Sequence, residues 1–169
     1  MPAVAEACRD PEIARWIDDI PAPYTRADAR VYVAACRRGW KDGSLWAFAV
    51  VDAASGEVVG SCGIGWQDHP HGVAEIGYWV RAGDRGRGVA TRAVRLASDW
   101  AFNEGGVQRL QLRADELNTA SQRVAENAGF HREGVLRSAR YSRRQGRRVD
   151  FVMFSRLAGE GGSAAKTGP

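Results

Sequence analysis

The stretch "VRAGDRGRGVATRAVRLASDW", Val80 to Trp100, constrains this chain more than any other part of it. Gly83, Gly86 and Gly88 are crowded together with Arg81, Arg85 and Arg87, and an apolar-striped segment follows at once. Val89, Ala93, Leu96 and Trp100 recur at helical spacing, while Arg92, Arg95 and Asp99 fall away from that stripe. Upstream, "VAEIGYWVR" alternates as a strand does: Ile76, Tyr78 and Val80 face one way, Glu75, Gly77 and Trp79 the other. A strand therefore runs into a glycine-rich turn and then a helix N-terminus. Gly86 and Gly88 let the backbone approach a ligand closely, and the unpaired first-turn N–H groups with the helix dipole suit a phosphate or pyrophosphate. The competing reading is a tight surface turn with solvated arginines.

Two phosphate-binding schemes fail on spacing. A dinucleotide fingerprint requires a third glycine where Thr91 stands, and a nucleotide-binding loop of the Gly-Lys-Ser/Thr type requires a lysine that this stretch lacks.

Elsewhere the pattern predicts a helix from Arg9 to Ile20 and a second from Ala27 to about Gly39, opened by a Thr25–Asp28 capping pair. "SLWAFAVVD" and "EVVGSCGIGWQ" read as strands before the Glu75-bearing one. Gly105 is the expected C-cap of the helix after Gly88. Arg109 to Ala114 alternates as a strand, Asn118 caps a short helix closed by Gly129, and a hairpin joins Phe130–Tyr141 to Arg147–Leu157. Residues 1–157 read as a single domain and 158–169, glycine-rich, as a disordered tail. The order of elements predicts one α/β (α+β) layered fold.

At 169 residues the chain supports one well-buried core. Its apolar fraction of 44% with 26% charged residues is that of a globular protein. No apolar run reaches the ~20 residues of a membrane helix. "MPAVAEACRD" lacks the features of a secretory signal, and Cys8, Cys36 and Cys62 are odd in number and scattered, so a reducing cytoplasm is expected. A net charge of +4 favours anionic ligands without marking a nucleic-acid binder.

The joint pattern resembles the GNAT superfamily of N-acetyltransferases. Arg85-Gly86-Arg87-Gly88-Val89-Ala90 matches its Q/R-x-x-G-x-G/A signature, and "AEIGYWVRAGDRGRGVATRAV" with "NTASQRVAENAGFHREGVLR" is similar to the branch that acetylates ribosomal-protein N-termini. The resemblance spans about Arg9 to Leu157. It implies a mostly antiparallel mixed sheet with a splayed central parallel pair, at Glu75–Arg81 and Val107–Ala114, and acetyl-CoA as cosubstrate with no metal. It further implies that Tyr78, Trp79 and Val80 pair through their backbone with the pantetheine arm. Amides from Arg85 or Gly86 through Arg87, Gly88, Val89 and Ala90 to Thr91 would hold the pyrophosphate, and Asn118 and Ser121 would approach the pantetheine and sulfur.

Acetyl transfer needs a base for the amine, a donor for the carbonyl oxygen and a proton for the leaving thiolate. A backbone N–H near Tyr78 is the expected carbonyl donor, Glu75 and Asp150 are the candidate bases, and Ser121 is the candidate acid. Each has a plainer reading: a surface ion pair for Glu75, a structural hydrogen bond for Asp150, and a hydroxyl bonded back into its own helix for Ser121. The chain departs from family patterns at Ala125, where many members carry a tyrosine acid, and at Arg113, where some carry a glutamate base. Members also usually open with a strand; here that strand is either absent or supplied by upstream residues. Its absence would leave "SLWAFAVVD" as an apolar edge and predicts either a homodimer or a marginally stable monomer.

His69-x-His71 lacks a third metal ligand, and the arginine-rich "RSARYSRRQGRR" reads as a solvated hairpin rather than a nucleic-acid contact. The expected partner is an amine, on a protein N-terminus or a small molecule. The opposing class is a non-catalytic acyl-CoA sensor or ribosome-binding module using the arginine hairpin.

Overall fold

The computed structural model describes residues 2–160. The helix expected over Arg9–Ile20 is present but shorter, as α2 (Pro11–Trp16), and a further helix that was not expected, α1 (Pro2–Ala7), precedes it. The start of α2 has a local cause. Asp10 is extended and accepts from the Glu12 N–H as an N-cap, and Pro11 begins the next helix, where its missing N–H costs nothing. α3 (Arg26–Asp42) starts at the Thr25–Asp28 capping box.

The strands β1 (Leu45–Val51), β2 (Val58–Asp68), β3 (Val73–Val80), β4 (Arg109–Asp115), β5 (His131–Ser142) and β6 (Arg147–Leu157) form one sheet in the order β1-β2-β3-β4-β6-β5. All neighbours are antiparallel except β3 and β4. The helices α4 (Val89–Asn103) and α5 (Thr119–Asn127) follow β3 and β4. This is the expected mixed α/β architecture, and within the described residues β1 is an edge. The edge is partly covered: the Trp40 indole of α3 donates to the Ala47 carbonyl at 2.9 Å.

Alternation along β3 separates two cores. Ile76 and Tyr78 pack with Val94, Ala97, Leu110, Leu112 and Phe154, whereas Trp79 joins a second cluster with Ile13, Tyr24 and Ala29. On α4 the stripe differs from expectation: Val94, Ala97, Ser98 and Ala101 are buried, and Leu96 is 72% exposed. Both stripes have helical period. The smaller side chains won because they let the helix approach the sheet closely, leaving Leu96 on the outside. At the helix end Gly106 takes the left-handed conformation (φ 70°) expected of Gly105. Gly105 instead sits so close to Ala101 that a Cβ would lie 2.9 Å from its carbonyl oxygen.

The parallel ladder between β3 and β4 is short. It pairs Val73 with Arg109, Ala74 with Leu110 and Glu75 with Gln111, and then stops. β4 continues to Asp115 beside β6, while β3 continues to Val80 beside β2. The strands part at their C-terminal ends, where the N-termini of α4 and α5 also lie, and open a slot there. Ala158–Glu160 are folded, with the Leu157 N–H bonded to a Glu160 carboxylate oxygen at 2.9 Å; residues 161–169 of the expected tail lie outside the described residues.

Phe154 is fully buried on β6, in the core that backs the slot. Phe154→Ala should lower unfolding free energy by about 3–5 kcal/mol, read from the midpoint of a urea titration.

Candidate active site

The slot holds two cavities, of 680 Å³ and 460 Å³, which share Trp16, Ile17, Tyr78, Trp79, Asn118 and Ser121. The smaller one reaches the glycine turn and the start of α4. Gly86 (φ 71°) and Gly88 (φ 73°) are both left-handed. A Cβ on Gly86 would meet nothing within 4 Å, so backbone conformation rather than crowding demands glycine there. Gly88 is the N-cap of α4 and no side chain caps the first turn. The first-turn amides of Val89, Ala90 and Thr91 are thus left facing this cavity without intrahelical partners.

The arginines of the turn serve a different purpose from the one their sequence position suggests. Asp84 is buried and receives Arg81 Nε at 2.7 Å and an Arg87 nitrogen at 3.3 Å. Arg85 donates to the Val80 carbonyl at 3.0 Å and to Asp10 at 2.5 Å, tying the turn to the cap of α2. Arg85 still lines the smaller cavity; Arg87 does not. The backbone faces the ligand space, and the guanidinium groups hold the loop in shape.

Asn118 caps α5 by accepting from the Ser121 N–H at 3.1 Å. The Ser121 hydroxyl is turned away from its own helix and receives the Tyr78 hydroxyl at 3.0 Å. Ser98 shows the alternative, donating at 2.7 Å to the Val94 carbonyl one turn back. Burial pushes the Tyr78 phenol up to about 12, so it stays protonated as a donor. With its acceptor side taken by Tyr78, Ser121 keeps its own proton for a group in the slot.

Glu75 lines the larger cavity, with an Arg113 nitrogen 2.6 Å from its Oε2. That contact is an ion pair without hydrogen-bond alignment, since Oε2 is buried and receives no directed N–H. It spans the last rung of the ladder, joining β3 to β4 where they part. Asp150 stands outside the walls of both cavities. Its carboxylate accepts from the Ser138 N–H at 2.7 Å, where β5 changes register between Leu136 and Arg140. Ala125 is fully buried in the core and brings no polar group to the slot.

Four side chains of the slot escape the sequence reading. That of Tyr78 had a signal in the alternation of β3, which puts it on the face opposite Trp79. Asp115, buried at the end of β4 and lining the larger cavity, accepts from Gln145 at 3.0 Å; a carboxylate ending an alternating strand could have signalled it. Trp16 and Ile17 come from a segment with no local signature. They reach the slot because Asp18 is bonded by Ser142 at 2.9 Å and lies 3.6 Å from Arg140, while Arg144 donates to the Ile20 carbonyl. Two arginines of the hairpin, Arg140 and Arg144, thus hold this wall.

Among the described residues no cluster of three or more His, Cys, Asp and Glu could hold a metal ion. His71 bonds Asp68 at 2.8 Å and His69 packs edge-on against Trp66. The three cysteines are free, and burial raises the Cys62 thiol to about 12. No described helix is long and apolar enough to cross a membrane.

A slot between diverging parallel strands, with a helix N-terminus at one end and a half-buried hydroxyl pair at its middle, suits the transfer of a group carried on an anionic cosubstrate. Comparison with known proteins gives the family. Residues 1–131 match the acetyltransferase (GNAT) domain. The uncharacterized N-acetyltransferase p20 of Bacillus licheniformis is 30% identical over 151 residues, which are 89% of this chain and 83% of that protein. The ribosomal-protein-serine acetyltransferase of Escherichia coli is 31% identical over 68 residues, 40% of this chain and 38% of that protein. Among solved structures, the ribosomal alpha-N-protein acetyltransferase RimL in complex with coenzyme A superposes with a TM-score of 0.83 at 21% identity, covering 92% of this chain and 87% of that one. The chain belongs to the GNAT acetyltransferase family. It is an N-acetyltransferase of that type.

A free tyrosine is half ionised near pH ~10. The difference absorbance between wild type and Tyr78→Phe should show no phenolate at that pH, and a phenolate signal there would mean that Tyr78 is exposed.

Proposed function

We propose that this enzyme transfers the acetyl group of acetyl-CoA to a primary amine by direct attack on the thioester, with the cosubstrate in the smaller cavity and the amine in the larger. The observation that carries the reading is the Tyr78–Ser121 hydrogen bond where the two cavities meet. The residues present suit the cosubstrate. Left-handed Gly86 and Gly88 and the uncapped first turn of α4 offer backbone N–H groups to a pyrophosphate. The edge of β3 at Tyr78, Trp79 and Val80, beyond the ladder to β4, offers hydrogen bonds to a pantetheine arm as to an added strand.

Acetyl-CoA supplies an activated thioester; the chain supplies position and hydrogen bonds. Attack forms the nitrogen–carbon bond and breaks the carbon–sulfur bond, leaving an electron pair on sulfur and an extra proton on nitrogen. Ser121 donates a hydrogen bond to the departing thiolate while Tyr78 holds the hydroxyl in the required rotamer, and the proton released from the amine reaches sulfur through water, so that Ser121 and Glu75 end as they began. A backbone N–H near Tyr78 meets the carbonyl oxygen as charge builds there. Glu75 takes the amine proton through water, and the Arg113 guanidinium keeps its carboxylate on the slot. Asp150, turned to Ser138, has no part in this arrangement.

The larger cavity favours a cationic acceptor. Asp19, Asp28, Glu75 and Asp115 line it against the single guanidinium of Arg113, and an ammonium gains from that balance before it gives up its proton. A protein N-terminus is the acceptor we favour, in keeping with the ribosomal-protein relative; small amines are the other class to assay. Three free thiols fit a reducing cytoplasm. The outer edge of β1, only partly covered by α3, is the surface we propose for pairing with a second copy of the chain.

Release of coenzyme A, followed with a thiol reagent over a panel of N-terminal peptides and small amines, tests the activity. Binding of acetyl-CoA without release for any acceptor would indicate a sensor instead. Gly88→Glu should abolish acetyl-CoA binding in calorimetry, because a side chain is strained at this backbone conformation and a carboxylate repels the pyrophosphate. Ser121→Ala should lower kcat on the order of a hundredfold, about 3 kcal/mol, with acetyl-CoA affinity little changed. Unchanged kcat would remove Ser121 from the mechanism.

A further inference from the structure

A third cavity, an open cleft of 990 Å³, adjoins the acceptor cavity and shares Cys8, Pro21 and Tyr24 with it. Its charge is of the opposite sign. Arg9, Arg15, Arg144 and Arg147 line it, and no carboxylate does. None of the four is fully paired. Arg9 gives Nε to the Tyr24 carbonyl at 3.1 Å, leaving its two terminal nitrogens. Arg15 lies 4.0 Å from Glu12 and stacks over Trp16 at 4.6 Å, both loose and exposed contacts. Arg147 is 3.6 Å from Asp115 and 3.8 Å from Glu116, beyond hydrogen-bond distance from either. Arg144 Nε and Arg147 Nη2 are buried and without any hydrogen-bond partner. Guanidinium N–H groups left in this condition are costly, and an anionic ligand relieves the cost with charge-assisted bonds.

The sign of the surface changes at one place. Asp115 faces the acceptor cavity and Arg147 faces the cleft, 3.6 Å apart. A ligand crossing that point meets carboxylates with its amine end and guanidinium groups with its next few residues. The two spaces together exceed the volume that a single small amine fills. Apart from Tyr24 and Gln145, the cleft wall between the arginines is built of small or apolar side chains, such as Pro11, Ala14 and Leu117, which suits an extended peptide better than stacked bases.

We propose that the cleft docks the acidic segment of an acceptor polypeptide, whose N-terminal amine lies in the adjoining cavity and whose Asp or Glu side chains come within the first few residues. This rests on the acetyl-transfer reading for the role of acceptor, but the docking itself is measurable without turnover. The full chain is titrated with peptides labelled at their C-terminus that share one N-terminal residue and continue with glutamates, glutamines or lysines. Binding is read by fluorescence anisotropy, and coenzyme A release is read separately.

At about 50 mM salt the glutamate peptide should bind about tenfold or more tightly than the glutamine peptide, and the ratio should shrink as salt rises and the Debye length falls. Arg15→Gln, on an exposed side chain whose loss leaves the core intact, should bring the ratio toward one; Arg15→Glu should bring it lower still and improve the lysine peptide. Equal binding of glutamate and glutamine peptides by wild type overturns the proposal, as does a ratio that Arg15→Glu leaves untouched. An acidic preference in binding with no coenzyme A release from any peptide or amine overturns acetyl transfer and leaves the docking surface standing.

Discussion

Everything in the site depends on a parallel ladder that stops after three rungs. β3 and β4 share hydrogen bonds from Val73 to Glu75 only, and each then runs on beside its antiparallel neighbour. Backbone groups normally consumed by pairing are thereby left at the slot, which a ligand or water must satisfy. The same divergence places the N-termini of α4 and α5 at one mouth. The Glu75–Arg113 ion pair, at 2.6 Å, sits at the fork and joins the strands where hydrogen bonds no longer do.

Arginine use is a consequence of this geometry. The slot needs walls that the sheet alone cannot provide, and the wall on the N-terminal side comes from two six-residue helices and the chain after them, packed in the second, smaller cluster. Asp10, Asp18 and the Ile20 carbonyl are each held by a guanidinium from a distant part of the chain: Arg85 from the turn before α4, and Arg140 and Arg144 from the β5–β6 hairpin. Exposed single ion pairs contribute little to stability. Several of them acting on one segment fix its position, which matters more here because Trp16 and Ile17 line both cavities of the slot.

In the proposed mechanism the chemical centre is a pair of neutral hydroxyls rather than an ionisable acid. Tyr78 is held protonated by burial, with its phenol raised to about 12, and it donates to Ser121. Such a pair orients a proton without depending on pH. The charged groups stand to either side, carboxylates in the acceptor cavity and guanidinium groups in the cleft beyond, so that charge acts on recognition and neutral hydrogen bonds act at the reacting atoms.

By itself the sequence determined what is local or periodic. The Thr25–Asp28 capping box, the alternation of β3, the glycine turn before α4 and the Asn118 cap with Ser121 one turn inside were all legible, because each depends on neighbours within a few residues. The start of α2 is legible from Asp10-Pro11, an N-cap followed by proline in the first turn. Tertiary structure decided what depends on which surfaces meet. It chose the Val94–Ala97–Ala101 stripe over the one containing Leu96, since close approach to the sheet favours small side chains. It tied the guanidinium groups of Arg87 and Arg85 into the loop and directed Asp150 to Ser138. It brought Trp16 and the Tyr78 hydroxyl to Ser121 across 105 and 43 residues of chain. No pattern along a chain records a contact of that range, because its free energy comes from packing and from polar groups that must find partners only once the fold has closed.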